Sequence, residues 1–305
     1  MLAKFKQLFD NTQHAAVLAL CLAILGIFVG LASMLASMVV AVVTIKRGAK
    51  AGATVMVWAL LPILSSMVVS YFSLSDIYLL ETIAVWGLAW LLFRGSSWLR
   101  VLECLLILAI VVIFAVHAIV PNLTDQWRQL FSAALGSSFV SSIADPGFVS
   151  SLKLATPNIA PFATGIVLST LVFDIMLNLL VARALYIWLY RKQPANLDIL
   201  QLRMPMIYSL VWLILLAVGL STHQALVLDL LPLALPMFVI GGFSLLNAYV
   251  RLNPKRWVIL IVFYVALLLF LPIAFMIVGF AGLLDSFVNF RRIWQRSKTF
   301  DSAVS

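Results

Sequence analysis

Charge is scarce in this sequence: Asp, Glu, Lys and Arg together make up 10% of its 305 residues. Soluble globular domains carry roughly 25%, so a water-facing surface of ordinary size is excluded. Cysteine is almost missing as well. Cys21 and Cys104 both fall inside apolar runs, which predicts buried thiols with no disulfide role and leaves the redox compartment open. The sequence motifs of catalysis are absent too. There is no HExxH, Walker loop, CxxC or dinucleotide glycine fingerprint. Gly219-Leu220-Ser221-Thr222 lacks the closing glycine of a nucleophile turn. His14, His117 and His223 share no ligand spacing, so each is expected to be interfacial or locally bonded. The expectation is therefore a protein that is not an enzyme and holds no metal or cofactor.

What is present is apolar mass, 64% of the chain. No soluble core of this length needs so much, so lipid is the expected solvent and membrane lipids are the expected surroundings. The net charge of +9 would suggest nucleic acid in a soluble protein. Here the twenty Lys and Arg sit mostly at the ends of apolar runs, which points to membrane topology and to no nucleic-acid partner. Lys4 and Lys6 precede an apolar run from Ala15 to Ile45, far longer than a cleavable signal would carry.

Eight apolar stretches follow one another: 15–45, 51–72, 77–93, 101–120, 161–190, 205–220, 225–250 and 257–284. Basic clusters at Lys46, Arg47 and Lys50, at Arg94 and Arg100, at Arg191, Lys192 and Arg203, and at Arg251, Lys255 and Arg256 alternate with connections poor in Lys and Arg. The clustered connections are thereby cytoplasmic. The first and last runs carry no charge and are long for one crossing. If each is a hairpin, both termini lie inside together with Arg291, Arg292, Arg296 and Lys298. Gly26 and Gly30 in the first run and Pro272 in the last mark the breaks. The predicted fold is an all-α polytopic transmembrane helical bundle of about ten membrane segments with both termini cytoplasmic. The alternative is eight segments with long, tilted end helices.

In this reading 1–305 is a single integral membrane domain. Residues 1–14 form a cytoplasmic N-terminal segment, 121–160 an extracytoplasmic loop, and 291–305 a basic cytoplasmic tail. Within the loop, Leu123, Trp127, Leu130, Phe131 and Ala134 recur at offsets of three and four, the stripe of an amphipathic helix lying on the membrane. Gly136 to Ser151, with its Ser, Gly and Asp145-Pro146, reads as irregular.

Acids inside the apolar runs carry the functional signal. Asp174 is near the middle of 161–190, with Asn178 one turn on and on the same face. Asp229 precedes Pro232, Pro236 and Gly241-Gly242, an acid beside a broken helix. An acid at bilayer centre costs roughly 2.5–3.5 kcal/mol on insertion scales. Asp174, Asn178 and Asp229 are accordingly the candidate ligand residues, expected to line one interior cavity. Their alternative is an interhelical bonded pair that holds the bundle. Glu81, Glu103 and Asp285 read as structural acids, the first two near helix ends. Ala15, Ala19 and Ala23 recur every fourth residue and permit close helix approach, either within the chain or to a membrane-protein partner.

The run from Lys46 through Arg47-Gly48-Ala49-Lys50-Ala51-Gly52, the pair Asn178-x4-Arg183, Leu202-Arg203-Met204-Pro205 and the ending Gly282-Leu283-Leu284-Asp285-Ser286-Phe287-Val288-Asn289-Phe290-Arg291-Arg292 together resemble the YybS-like family of bacterial membrane proteins. That family is distantly similar to the substrate-capture subunits (S components) of energy-coupling-factor transporters. The resemblance implies a multipass protein of the bacterial cytoplasmic membrane that binds or transports a small solute. It also implies that Ala15, Ala19 and Ala23 would dock a coupling partner. The chain is longer than a usual S component and carries no vitamin- or metal-binding signature. The alternative function is a membrane scaffold for cell-envelope or division machinery.

Overall fold

The computed structural model describes residues 2–69, 75–137, 145–190, 199, 202–251, 258, 261–263, 265 and 271–294. Among them every regular element is helical. Arg191, Lys192, Lys255, Arg256, Arg296 and Lys298 lie outside the described residues, as does much of the last apolar run. The chain divides into two compact units, Met1–Leu105 with Leu171–Leu202, and Leu106–Thr170 with Arg203–Ser305.

The first unit holds α1 (Leu2–Asp10), α2 (Thr12–Gly26), α3 (Gly30–Arg47), α4 (Ala49–Val69), α5 (Ser75–Phe93), the start of α6 (Trp98–Ile119) and most of α9 (Ala163–Tyr190). The first apolar run is two helices, broken between Gly26 and Gly30. Gly26 sits where a Cβ would collide with Ser33 of the returning helix, so the hairpin closes tightly only without a side chain there. Ala15, Ala19 and Ala23 are fully buried, and α2 packs on α3 and α4. Packing within the chain takes up the alanine face. Gly48 (φ 86°) ends α3, a backbone conformation that costs a side chain dearly and glycine little. Cys21 and Cys104, expected to be buried, are both exposed: an apolar run in lipid has an outward face that soluble burial rules do not anticipate.

Asp10 fastens the amphipathic α1. Its carboxylate accepts hydrogen bonds from Lys46 Nζ and from the Tyr190 hydroxyl (2.9 Å), while Arg47 donates to the Asp10 carbonyl. The Lys46 ammonium also lies 4.2 Å from the Tyr190 ring centroid, and Phe9 is buried beneath. The Lys46 hydrogen bond holds the Asp10 carboxyl below its ordinary value, with burial opposing and Tyr190 assisting. A depressed folded pKa contributes stability above the unfolded value of about 3.9, lost as pH falls through the folded value. Hydrogen-exchange protection of α1, corrected for intrinsic rates, is thus expected to persist at pH 5 and to fall at pH 3. In Asp10→Asn it should be low at both. Equal protection of the natural protein at the two pH values refutes this.

The second unit holds the rest of α6, α7 (Leu123–Leu135), α8 (Pro146–Ile159), the first turns of α9, α10 (Met206–Thr222), α11 (Ala225–Leu230), α12 (Ala234–Arg251) and α13 (Leu271–Val288). The amphipathic helix expected in the 121–160 loop occupies Leu123–Leu135. The expected irregular segment is corrected from Asp145 onward. Asp145 caps α8 by accepting from the Phe148 N–H (3.1 Å), and Pro146 takes the first helical position. Asp-Pro is a helix start here rather than a turn, because the cap supplies an acceptor and proline has no N–H to satisfy. Residues 138–144 lie outside the described residues. At Pro232 the helix breaks: a 3₁₀ turn, Leu231–Leu233, separates α11 from α12. The Leu231 carbonyl accepts from the Ala234 N–H and also from the Trp212 indole (3.2 Å).

Four helical stretches are long and apolar enough to cross a membrane: Gly30–Arg47, Trp98–Ile119, Pro146–Tyr190 and Ala225–Arg251. Five shorter apolar helices accompany them. An all-helical chain with such spans is a membrane protein in its architecture.

Candidate functional site

Two polar clusters stand inside these apolar helices, one in each unit. In the first unit Asn178, buried on α9, donates from Nδ2 to Glu81 Oε1 on α5 at 2.6 Å. Ser37 of α3 also hydrogen-bonds the Glu81 carboxyl, and its hydroxyl lies 2.9 Å from that of Thr82. Glu81, Ser37, Thr82 and Asn178 are all buried, so three helices contribute to one polar layer. The depth is consistent across the layer. Glu81 lies twelve residues before Phe93 and Asn178 twelve before Tyr190, the ends of α5 and α9. At 1.5 Å per residue each is about 18 Å from that helix end, a little over half the thickness of a hydrocarbon core about 30 Å thick.

Asp174 lies one turn before Asn178 on α9 and is exposed. Its carboxylate is within coulombic reach of Glu81 and of the Tyr78 hydroxyl. Among the described residues no Lys, Arg or His forms an ion pair with Asp174 or Glu81. The layer therefore presents two neighbouring carboxyl groups in an apolar span with hydroxyl and amide donors but no cation. Such an arrangement favours a proton or a positively charged group, because either relieves both repulsion and desolvation.

In the second unit Asp229 is buried (3% exposed). Its Oδ2 lies 2.8 Å from His117 Nε2, which donates to it, and its Oδ1 accepts the Gly165 backbone N–H at 3.1 Å. The acid thus joins the last turn of α6 to the first turn of α9. A carboxylate at a helix start meets unsatisfied N–H groups and the positive end of the helix dipole. Gly165 is required for this, since a Cβ there would strike the Asp229 carbonyl. Nearby, Trp127 Nε1 donates to Thr164 Oγ1 (2.9 Å) and ties α7 to the same turn.

Asp174 and Asn178 share a face, but only Asn178 is interior, and Asp229 has its own partners in the second unit. Glu81, expected near a helix end at the interface, belongs to the mid-span layer. Its pairing with Asn178 was open to prediction from their equal counts to a basic helix end. His117 is locally bonded, as one reading of the sequence expected. Comparison with known proteins finds no matching family model, no similar characterised sequence and no similar solved structure.

Proposed function

We propose that this is a multipass protein of the bacterial cytoplasmic membrane that binds or carries a small solute, with Asp174 and Glu81 receiving a cationic group or a coupling proton. The observation that carries the reading is Asp174, an acid in an apolar span with no cationic partner among the described residues. Acids there are costly and mark ion or substrate paths by default. About ten crossings with both ends cytoplasmic accord with the split first run and with Lys46 and Arg47 in the last turn of α3. The resemblance of these short motifs to YybS-like proteins is what suggests solute capture.

Two outcomes test the reading. Asp174→Asn removes a charge held for use and not for stability, so it is expected to stabilise the purified protein by about 1–2 kcal/mol in thermal unfolding. Sodium, potassium, tetramethylammonium and spermidine, titrated separately, should include one that stabilises the natural protein saturably but leaves Asp174→Asn unmoved. If none separates the two proteins, solute binding at Asp174 is refuted. The scaffold reading then gains. It would rest on α7 and α8, which contact each other and expose Leu130, Phe148 and Leu154.

A further inference from the structure

A third polar cluster, unrelated to the acids above, lies where α10, α12 and α13 of the second unit come together. There α13 stops at Val288, and Asn289 (φ 53°) separates it from a short helical stretch at 290–294. The buried Asp285 carboxylate accepts the Phe290 N–H (3.1 Å) and sits 3.3 Å from Arg291 Nε. Arg291 also donates from Nη2 to the buried Ser244 hydroxyl of α12 (3.2 Å). From the residues before α10, Arg203 donates Nε to the Asp285 carbonyl (3.2 Å) and Nη2 to the Ser286 carbonyl (3.0 Å). Ser286 and Ser209, both buried, place their hydroxyls 2.5 Å apart.

Among the described residues, positive charge exceeds negative here. Two guanidinium groups face one carboxylate and a helix C-terminus worth about half a negative charge. Exposed Arg292 and Arg251 add to the excess. Burial holds the Arg291 guanidinium below its ordinary pKa; Asp285 opposes this and Arg203 reinforces it. Arg203 commits two of its five N–H donors to the helix carbonyls. The cluster also sits at the basic ends of its helices, the level of lipid headgroups.

We propose that Arg203 and Arg291 form a binding site for a phosphate group at the cytoplasmic surface of the membrane. A phosphate ester offers paired acceptor oxygens that match guanidinium forks, and its charge offsets the excess. Two sources have this chemistry: the headgroup of an anionic phospholipid, and a soluble phosphate or phosphate ester.

The test uses the full chain in an uncharged detergent, followed by thermal unfolding. Dihexanoyl-phosphatidylglycerol, dihexanoyl-phosphatidylcholine and inorganic phosphate are titrated separately at fixed ionic strength. A saturable upward shift with phosphatidylglycerol and none with phosphatidylcholine assigns the site to anionic lipid. A saturable shift with inorganic phosphate, not matched by sulfate-free chloride at equal ionic strength, assigns it to a soluble phosphate. Arg291→Gln should raise the half-saturating concentration about tenfold. Should that variant not fold, Arg292→Gln, which alters only an exposed charge, is expected to weaken binding in the same direction. Equal shifts with the two lipids and none with phosphate, in the natural protein, overturn the proposal.

Discussion

Asp229→Ala is expected to lower the stability of the purified protein by about 3 kcal/mol. The substitution orphans two groups at once. His117 loses the carboxylate it is bonded to, and the Gly165 N–H at the start of α9 loses its side-chain acceptor. Each buried orphan costs about 1–3 kcal/mol. Asp229→Asn keeps an acceptor for Gly165 and should cost about half as much. The double variant His117→Ala with Asp229→Ala should cost less than the sum of the singles, because the histidine has nothing left to lose. Denaturation in mild detergent reads these variants, with the single His117→Ala, against the natural protein. An alanine variant within about 0.5 kcal/mol of the natural protein would show that Asp229 is no latch.

Gly282→Val is expected to prevent folding. A Cβ at Gly282 would collide with the Phe238 carbonyl and the Gly242 nitrogen, both backbone atoms of α12. Gly242 is equally intolerant, since its Cβ would strike the Val278 carbonyl. Neither clash can be relieved by a rotamer change, so α12 and α13 would have to separate. In lipid that loss is not recovered elsewhere, because helices there associate largely through close backbone approach. Gly87 is the internal control. It lies within α5 with nothing within 4 Å of a new Cβ, so Gly87→Ala should be neutral or stabilise by up to about 1 kcal/mol. Expression of monodisperse protein distinguishes the cases. A well-folded Gly282→Val would refute the crossing described here.

Much of this architecture could be read from the residues alone. Apolar runs and basic clusters are strong signals because lipid tolerates little else, and they located the helices. The split of the first run followed from Gly26 and Gly30, and the break near Asp229 from Pro232. The polar pairings were harder. Asp174 and Asn178 lie one turn apart, which fixes a shared face but not how deeply each is buried. Asn178 turns inward to Glu81, while Asp174 remains exposed. Glu81 looked peripheral because its distance was judged from the nearer end of its run. Counting from the basic end would have set it level with Asn178. His117 and Asp229 are both close to helix ends on the same side, but their pairing also needs α9 to begin at Ala163, which the continuous apolar run concealed. Asp145-Pro146 was misjudged because proline after an acid marks either a turn or a capped helix, and only the following apolar spacing separates them.

The three polar clusters also constrain how the chain can be made. Glu81 is 97 residues ahead of Asn178, His117 is 112 ahead of Asp229, and Arg203 is 82 ahead of Asp285. Synthesis adds about 5–20 residues per second, so each early member waits roughly 4–22 seconds for its partner to be translated. During that interval an acid and an imidazole within apolar helices, and a guanidinium at a helix end, each stand without the group that will bond them. The order of partner arrival is fixed by the ribosome: Asn178 first, Asp229 next, Asp285 last.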